Sequence, residues 1–187
     1  MKKLIALSLI PLLFGCLSAS SPRVSQWLLE YKGPIRATRL VKYEVGRVSQ
    51  VTVRSPYNEV GIAVLRADGS MAFDPYTEYA ANPTAMLKGF VFDAMDASGL
   101  FGSVVNSSSS VKAQAMSEVL VTRLALDCRK EGERKAVAAV RIRLISDDGK
   151  ALHAQGEGTA DAKDGNFGAA LSDALSTALN TAFGQIR

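Results

Sequence analysis

Apolar and polar residues alternate over several stretches of the chain and recur at helical spacing over two others. Trp27, Leu29 and Tyr31 occupy every second place, which predicts a strand over residues 25–31. Residues 47–53 alternate as well, with Val48, Gln50 and Thr52 on one face and Arg47, Ser49, Val51 and Val53 on the other, the pattern of a half-buried strand. Two apolar runs, 59–66 and 70–73, flank Ala67-Asp68-Gly69, and Asp-Gly between such runs predicts a hairpin. Residues 101–105 read as a strand that ends in a break of Asn and Ser over 106–110. The last third reads as a meander of strands over 117–128, 136–146 and 151–160, joined by polar turns at 129–133 and 147–150.

The period changes in two places. Asn82-Pro83 has the form of an N-cap followed by proline in the first helical position, and Gly99 suits the residue just past a helix end. Between them Met86/Leu87, Phe90/Val91 and Ala94/Met95 form one apolar stripe. After Gly165 a second helix carries Phe167, Leu171, Leu175, Leu179, Phe183 and Ile186 on one side, with Ala170, Ala174, Ala178 and Ala182 beside them. Small residues in that row imply close approach of the helix to a sheet. Gly156-Glu157-Gly158 inside the last strand marks either a bulge or a backbone crossing. The order of elements predicts a two-layer α+β fold: a mostly antiparallel mixed sheet with two amphipathic helices packed on one face.

Composition narrows the class. The chain has 187 residues, 48% hydrophobic and 21% charged, which excludes a disordered or collagen-like protein. Residues 1–15 read as a signal peptide: Met1-Lys2-Lys3 is a basic start, and residues 4–14 form an apolar run too short to span a bilayer, which needs about 20 such residues. That run ends in Leu13-Phe14-Gly15-Cys16, which resembles a bacterial lipobox, with Phe14 a departure from its second position. Cys16 is then the lipidated residue, its thiol taking the diacylglyceryl group. The alternative is an ordinary secretory signal with a chance cysteine near its end. Residue 17 is Leu and not Asp, which favours outer-membrane sorting. Residues 16–23 follow as a lipidated tether, and 24–187 as one folded domain. Removing Lys2 and Lys3 with the signal lowers the formal charge from +4 to +2, and no basic stripe points to nucleic acid.

Catalytic chemistry finds little to stand on. The single histidine, His153, falls in a predicted strand, and no Gly-x-Ser-x-Gly elbow is present. One His and the second cysteine, Cys128, do not make a metal-ligand set, and no phosphate-binding Gly-x-x-x-x-Gly-Lys occurs. The expectation is therefore a non-enzyme without metal or cofactor. Tyr57, Tyr76 and Tyr79 gather around the hairpin and read either as core-edge aromatics or as a partner site. Arg66 ends an apolar strand, where a charge is ordinarily solvated or capping a turn.

The run Val60-Gly61-Ile62-Ala63-Val64-Leu65-Arg66-Ala67-Asp68-Gly69, followed by Phe73-Asp74-Pro75-Tyr76-Thr77-Glu78-Tyr79-Ala80 and Asn82-Pro83, resembles the central motif of the ABC-type transport auxiliary lipoproteins, the PqiC-like family. In that motif an apolar strand ends in Tyr-Arg, a hairpin follows, and Tyr-x-x-Trp-Ala-x-x-Pro leads into a helix. Arg66, Tyr76, Ala80 and Pro83 match, while Leu65 and Tyr79 stand where the family has Tyr and Trp. The resemblance implies an outer-membrane lipoprotein, anchored in the inner leaflet and facing the periplasm of a Gram-negative bacterium. Its implied partners are an MCE-domain substrate-binding subunit and the ABC permease and ATPase of a system moving phospholipids or other apolar lipids. It implies a docking adaptor, with a homo-oligomeric ring as one form, and Tyr57, Arg66, Tyr76 and Tyr79 as the candidate contact edge. The alternative is a lipoprotein that activates a cell-wall synthase or helps assemble an outer-membrane barrel.

Overall fold

Alternation builds eight strands and the helical period builds two helices. In chain order these are β1 (Ser25–Trp27), β2 (Tyr43–Val53), β3 (Gly61–Arg66), β4 (Met71–Tyr79), α1 (Pro83–Ala97), β5 (Phe101–Val105), β6 (Ala115–Cys128), β7 (Lys135–Ser146), β8 (Ala151–Asp161) and α2 (Phe167–Ile186). The structure is a computed structural model and describes residues 23–33, 41–163 and 165–186. Cys16, the signal segment and the tether up to residue 22 lie outside the described residues.

The strands form one mixed sheet around β6. One side of β6 pairs with β7 along nearly its whole length, and β7 pairs with β8. The other side is shared: β2 takes residues 115–121 and β3 takes 126–128. β5 pairs with β2, β4 with β3 and β1 with β4, so the far side of the sheet is forked. The long β6–β7 and β7–β8 ladders are antiparallel, which meets the expectation by paired length. The joins β2–β6, β3–β6, β2–β5 and β1–β4 are parallel, because crossovers rather than hairpins connect those pairs.

Two β-bulges reset the alternation. A register shift at Val48/Gln50 places Gly46 and Val48 on the same buried face as Val51 and Val53, whereas uninterrupted alternation puts Val48 opposite them. A second shift, at Val121/Arg123 of β6, changes the buried set from Ser117, Val119 and Val121 to Leu124 and Leu126. It falls between the stretches of β6 that pair with β2 and with β3.

The segment predicted as a strand over 25–31 is a strand only to Trp27. Beyond it the chain stays extended, with Leu29 buried and Leu28 exposed, but its partner is a helix. The Glu30 and Lys32 backbone N–H groups donate to the Ser172 and Ser176 hydroxyls of α2, at 3.2 and 3.0 Å. The Tyr31 hydroxyl donates to Asn180 Oδ1 at 2.7 Å, and its ring meets Phe90 of α1 edge-on at 5.7 Å between centroids. The strap therefore runs over α2 and reaches α1.

Both helices keep their predicted limits closely. Asn82 caps α1 by accepting the Thr84 N–H at 3.0 Å, Pro83 opens it, and Gly99 follows its end at φ 73°. Leu87, Phe90, Val91, Ala94 and Met95 are buried as the stripe requires. In α2 the alanine row faces Gly156 and Gly158 of β8. A Cβ on Gly158 would lie 2.0 Å from the Ala174 carbonyl oxygen, and one on Gly156 would lie 1.9 Å from that of Ala178. The β7–β8 register is unbroken there, so the two glycines mark a backbone crossing and not a bulge. The core lies between this face of the sheet and the two helices, and Val119, Val121, Val140 and Ile142 share one buried cluster with Leu171, Leu175 and Leu179.

Candidate partner-contact surface

The β3–β4 hairpin and β1 form the wing of the sheet that carries the predicted contact residues. Gly69, at φ 82°, closes the hairpin turn, and Asp68 accepts the Ser70 N–H at 2.8 Å. Those Ser70 hydrogen bonds hold the Asp68 carboxyl below the usual aspartate range. Arg66 is exposed at the end of β3, beside this turn.

Register separates Arg66 from the other predicted residues. Gly61 pairs with Glu78 and Ala63 with Phe73, so residues 74–77 of β4 stand opposite the single residue Ile62. The excess loops outward, held by the Tyr76 N–H donating to Asp74 Oδ1 at 2.8 Å. Tyr76 is 55% exposed as a result. The Tyr79 N–H bonds to the Val60 carbonyl, which places Tyr79 six residues along β3 from Arg66, roughly 20 Å at about 3.3 Å per residue.

Tyr79 itself points into the core. It is 1% exposed, pairs with Trp27 across β1 and β4, and its hydroxyl has no hydrogen-bond partner among the described residues. Burial pushes the phenol far above its ordinary pKa. Its predicted role as a contact residue is corrected by this inward orientation: Tyr79 supports the wing from beneath. Tyr57 is half-buried against the core in the loop between β2 and β3. The four residues thus occupy separate places, with Arg66 and Tyr76 the exposed pair.

What the sequence reading missed is the apolar company Tyr76 keeps. Among the described residues nine large apolar side chains are exposed, and Val24, Leu28, Val60, Phe73 and Tyr76 all belong to this wing or its immediate flanks. The wing is therefore the most apolar exposed part of the molecule. Phe73 is 42% exposed and lies over Gly61, where a Cβ would come within 3.1 Å of Phe73 Cβ. The alternation of Val24, Gln26 and Leu28 away from Trp27 is the signal that identifies the outward row. Farther along the same open face the surface is polar: Glu118 of β6 and Arg143 of β7 are register partners joined at 3.3 Å, with Arg141 and His153 nearby.

A second feature lies on the opposite branch of the fork. A groove of about 480 Å³ runs between α1 and β2, lined by Val48, Ser49, Gln50 and Val51 on one side and Thr84, Lys88, Gly89 and Phe92 on the other, with Asn106 and Ser107 at one end. Among the described residues no group of three or more His, Cys, Asp or Glu is placed to hold a metal ion, and no helix is long and apolar enough to cross a membrane. The exposed surface thus carries an apolar wing and a groove beside a strand.

No family model matches the sequence, and no curated protein does. Solved structures do share the fold. The crystal structure of protein XCC0632 from Xanthomonas campestris, described as DUF330, superposes at a TM-score of 0.66 with 16% identity, covering 87% of this chain and 92% of that one. A second crystal structure, of an uncharacterized protein, superposes at 0.60 with 13% identity, covering 85% and 96%. At these identities the likeness is one of fold.

Proposed function

We propose that this chain is the lipid-anchored auxiliary component of an MCE-type ABC transport system. In this reading it sits in the inner leaflet of the outer membrane and docks the periplasmic end of the substrate-binding subunit. It performs no catalysis of its own. The observation that carries the reading is a coincidence of two independent likenesses. Arg66, Tyr76, Ala80 and Pro83 match the motif of the ABC-type transport auxiliary lipoproteins, and the fold matches a protein described as DUF330, the PqiC-like family.

Physical reasoning supports such a role. Ser25, the first residue of β1, lies nine residue steps beyond Cys16, so an acylated Cys16 keeps β1 within about 30 Å of the membrane surface. Several acyl chains on one cysteine make release slow, at about 0.8 kcal/mol per buried CH₂. Confinement raises the effective concentration of any envelope partner, so a modest contact suffices. The wing supplies that contact, with Tyr76, Phe73 and Leu28 as the apolar centre and Arg66 at its edge.

The test is crosslinking and affinity purification of the lipidated protein from membranes, with mass spectrometry of what accompanies it. Recovery of an MCE-domain subunit with its permease is the expected result. Arg66→Glu combined with Tyr76→Ala is expected to lower that recovery about tenfold. Recovery of only a cell-wall synthase or an outer-membrane barrel overturns the transport reading. Undiminished recovery with the double variant places the contact elsewhere.

A further inference from the structure

β5 stops short of its neighbour. Its last paired residue, Val105, lies opposite Arg47, after which the chain turns away at Asn106. β2 continues for six residues, to Val53, with β6 on its other side. Among the described residues no strand pairs with the edge of β2 from Val48 to Val53. The Val48–Val51 part of that edge forms one wall of the 480 Å³ groove, whose other wall is the Thr84, Lys88, Phe92 flank of α1. An open strand edge exposes backbone donors and acceptors that a further strand satisfies, and natural proteins ordinarily cover or blunt such edges.

The walls say what would fit. Val48 and Val51 are almost fully buried, and Phe92 is partly so; together they give the groove an apolar floor. Gly89 sits in the middle of α1, where a Cβ would meet no atom within 4 Å, so the helix leaves room above that floor. Among the described residues Lys88 is the one charged residue in the lining. We propose that the free edge of β2 beyond Arg47 accepts an extended segment of a partner protein as an added strand. The segment carries alternating apolar residues for the groove and an Asp or Glu for Lys88. Backbone pairing supplies the affinity, and the pocket with its lysine supplies the selection. A lipid chain could fill the apolar floor but offers no backbone groups to the edge, which is why the strand is the better occupant.

The full-length protein is panned against a random dodecapeptide display library. Selected sequences are expected to alternate apolar residues with Asp or Glu, and a selected peptide is expected to slow amide exchange within residues 50–53 about tenfold. Lys88→Glu is expected to weaken that peptide about tenfold and to turn the selection toward Lys and Arg. Gly89→Trp fills the groove and is expected to weaken it about tenfold, while Gly89→Ala keeps binding, and both variants unfold at or above the midpoint of the parent because each removes a glycine from the helix interior. An empty selection, selected peptides that leave those amides unchanged, or equal binding by Lys88→Glu overturns the proposal. It is equally overturned if phosphatidylglycerol vesicles, and no peptide, protect the same amides. A dimer in sedimentation that Gly89→Trp abolishes overturns it in favour of a second copy of this chain.

Discussion

The half of the molecule built from α2, β8, β7 and β6 and the wing built from β1, β4 and β3 use their residues differently. In the first, long antiparallel ladders meet a helix so closely that glycine is required at two positions of β8, and every large apolar residue of α2 is buried. In the second, pairings are short, one strand carries an outward loop, apolar side chains face outward, and the Trp27, Thr77 and Tyr79 polar atoms are buried without partners among the described residues. Packing density in the first half carries stability. The second half leaves surface uncommitted, which is what a contact region needs.

The sharpest test of this contrast is a pair of glycine substitutions. Gly158→Val drives a side chain into the Ala174 carbonyl of α2 and is expected to cost about 3 kcal/mol or more in urea unfolding. Gly61→Ala in the wing brings a Cβ to 3.1 Å from Phe73 Cβ, so the strands need part by only a few tenths of an ångström, and it is expected to cost less than about 1 kcal/mol. Equal costs would abolish the distinction. Next comes the strap between the two regions: Ser172→Ala together with Ser176→Ala removes the hydroxyls that accept from Glu30 and Lys32, for an expected loss of about 2 kcal/mol. Hydrogen exchange at Glu30 and Lys32 should rise with it.

Smaller effects probe the wing's unpartnered groups. Tyr79→Phe deletes a hydroxyl with no partner among the described residues and is expected to change stability at pH 7 by less than about 0.5 kcal/mol. It should show itself in alkali. The folded phenol is held above its ordinary pKa, so its contribution is present below about pH 10 and is lost as pH rises and the unfolded phenol ionises. The variant should flatten that loss, read as urea midpoints at pH 9 and 11. Least is expected from the turn carboxylates. Asp68, Asp127 and Asp148 are held below the usual range, chiefly by hydrogen bonds from Ser70, Arg129 and Lys150 respectively. Their contribution is present at neutral pH and lost as pH falls below about 4, and Asp148→Asn should reduce that acid dependence slightly.

Much of this was legible in the chain itself. β5 falls on the predicted 101–105, the α1 stripe and cap lie where Asn82-Pro83 and Gly99 place them, and the alanine row with Gly156 and Gly158 announced a close helix–sheet crossing. The proposed contact surface was half legible: Arg66 and Tyr76 are exposed, while Tyr79 is not, because β4 turns its last odd-numbered residues inward after the loop at 74–77. Phe73, Leu28 and the groove beside β2 needed the register.

By itself the sequence determined where the strands and both helices fall and which turns join them, though not how far β1, β2 and β4 run. Those features depend on residues a few places apart, through periodicity, caps and positive-φ glycines. Only the tertiary structure decided that β2 and β3 share one side of β6, that bulges move Val48 to the buried face, and that β5 ends before β2 does. Pairing and register are set between residues far apart in the chain, where each competing alignment buries a different set of side chains, so local pattern does not specify which edge remains open.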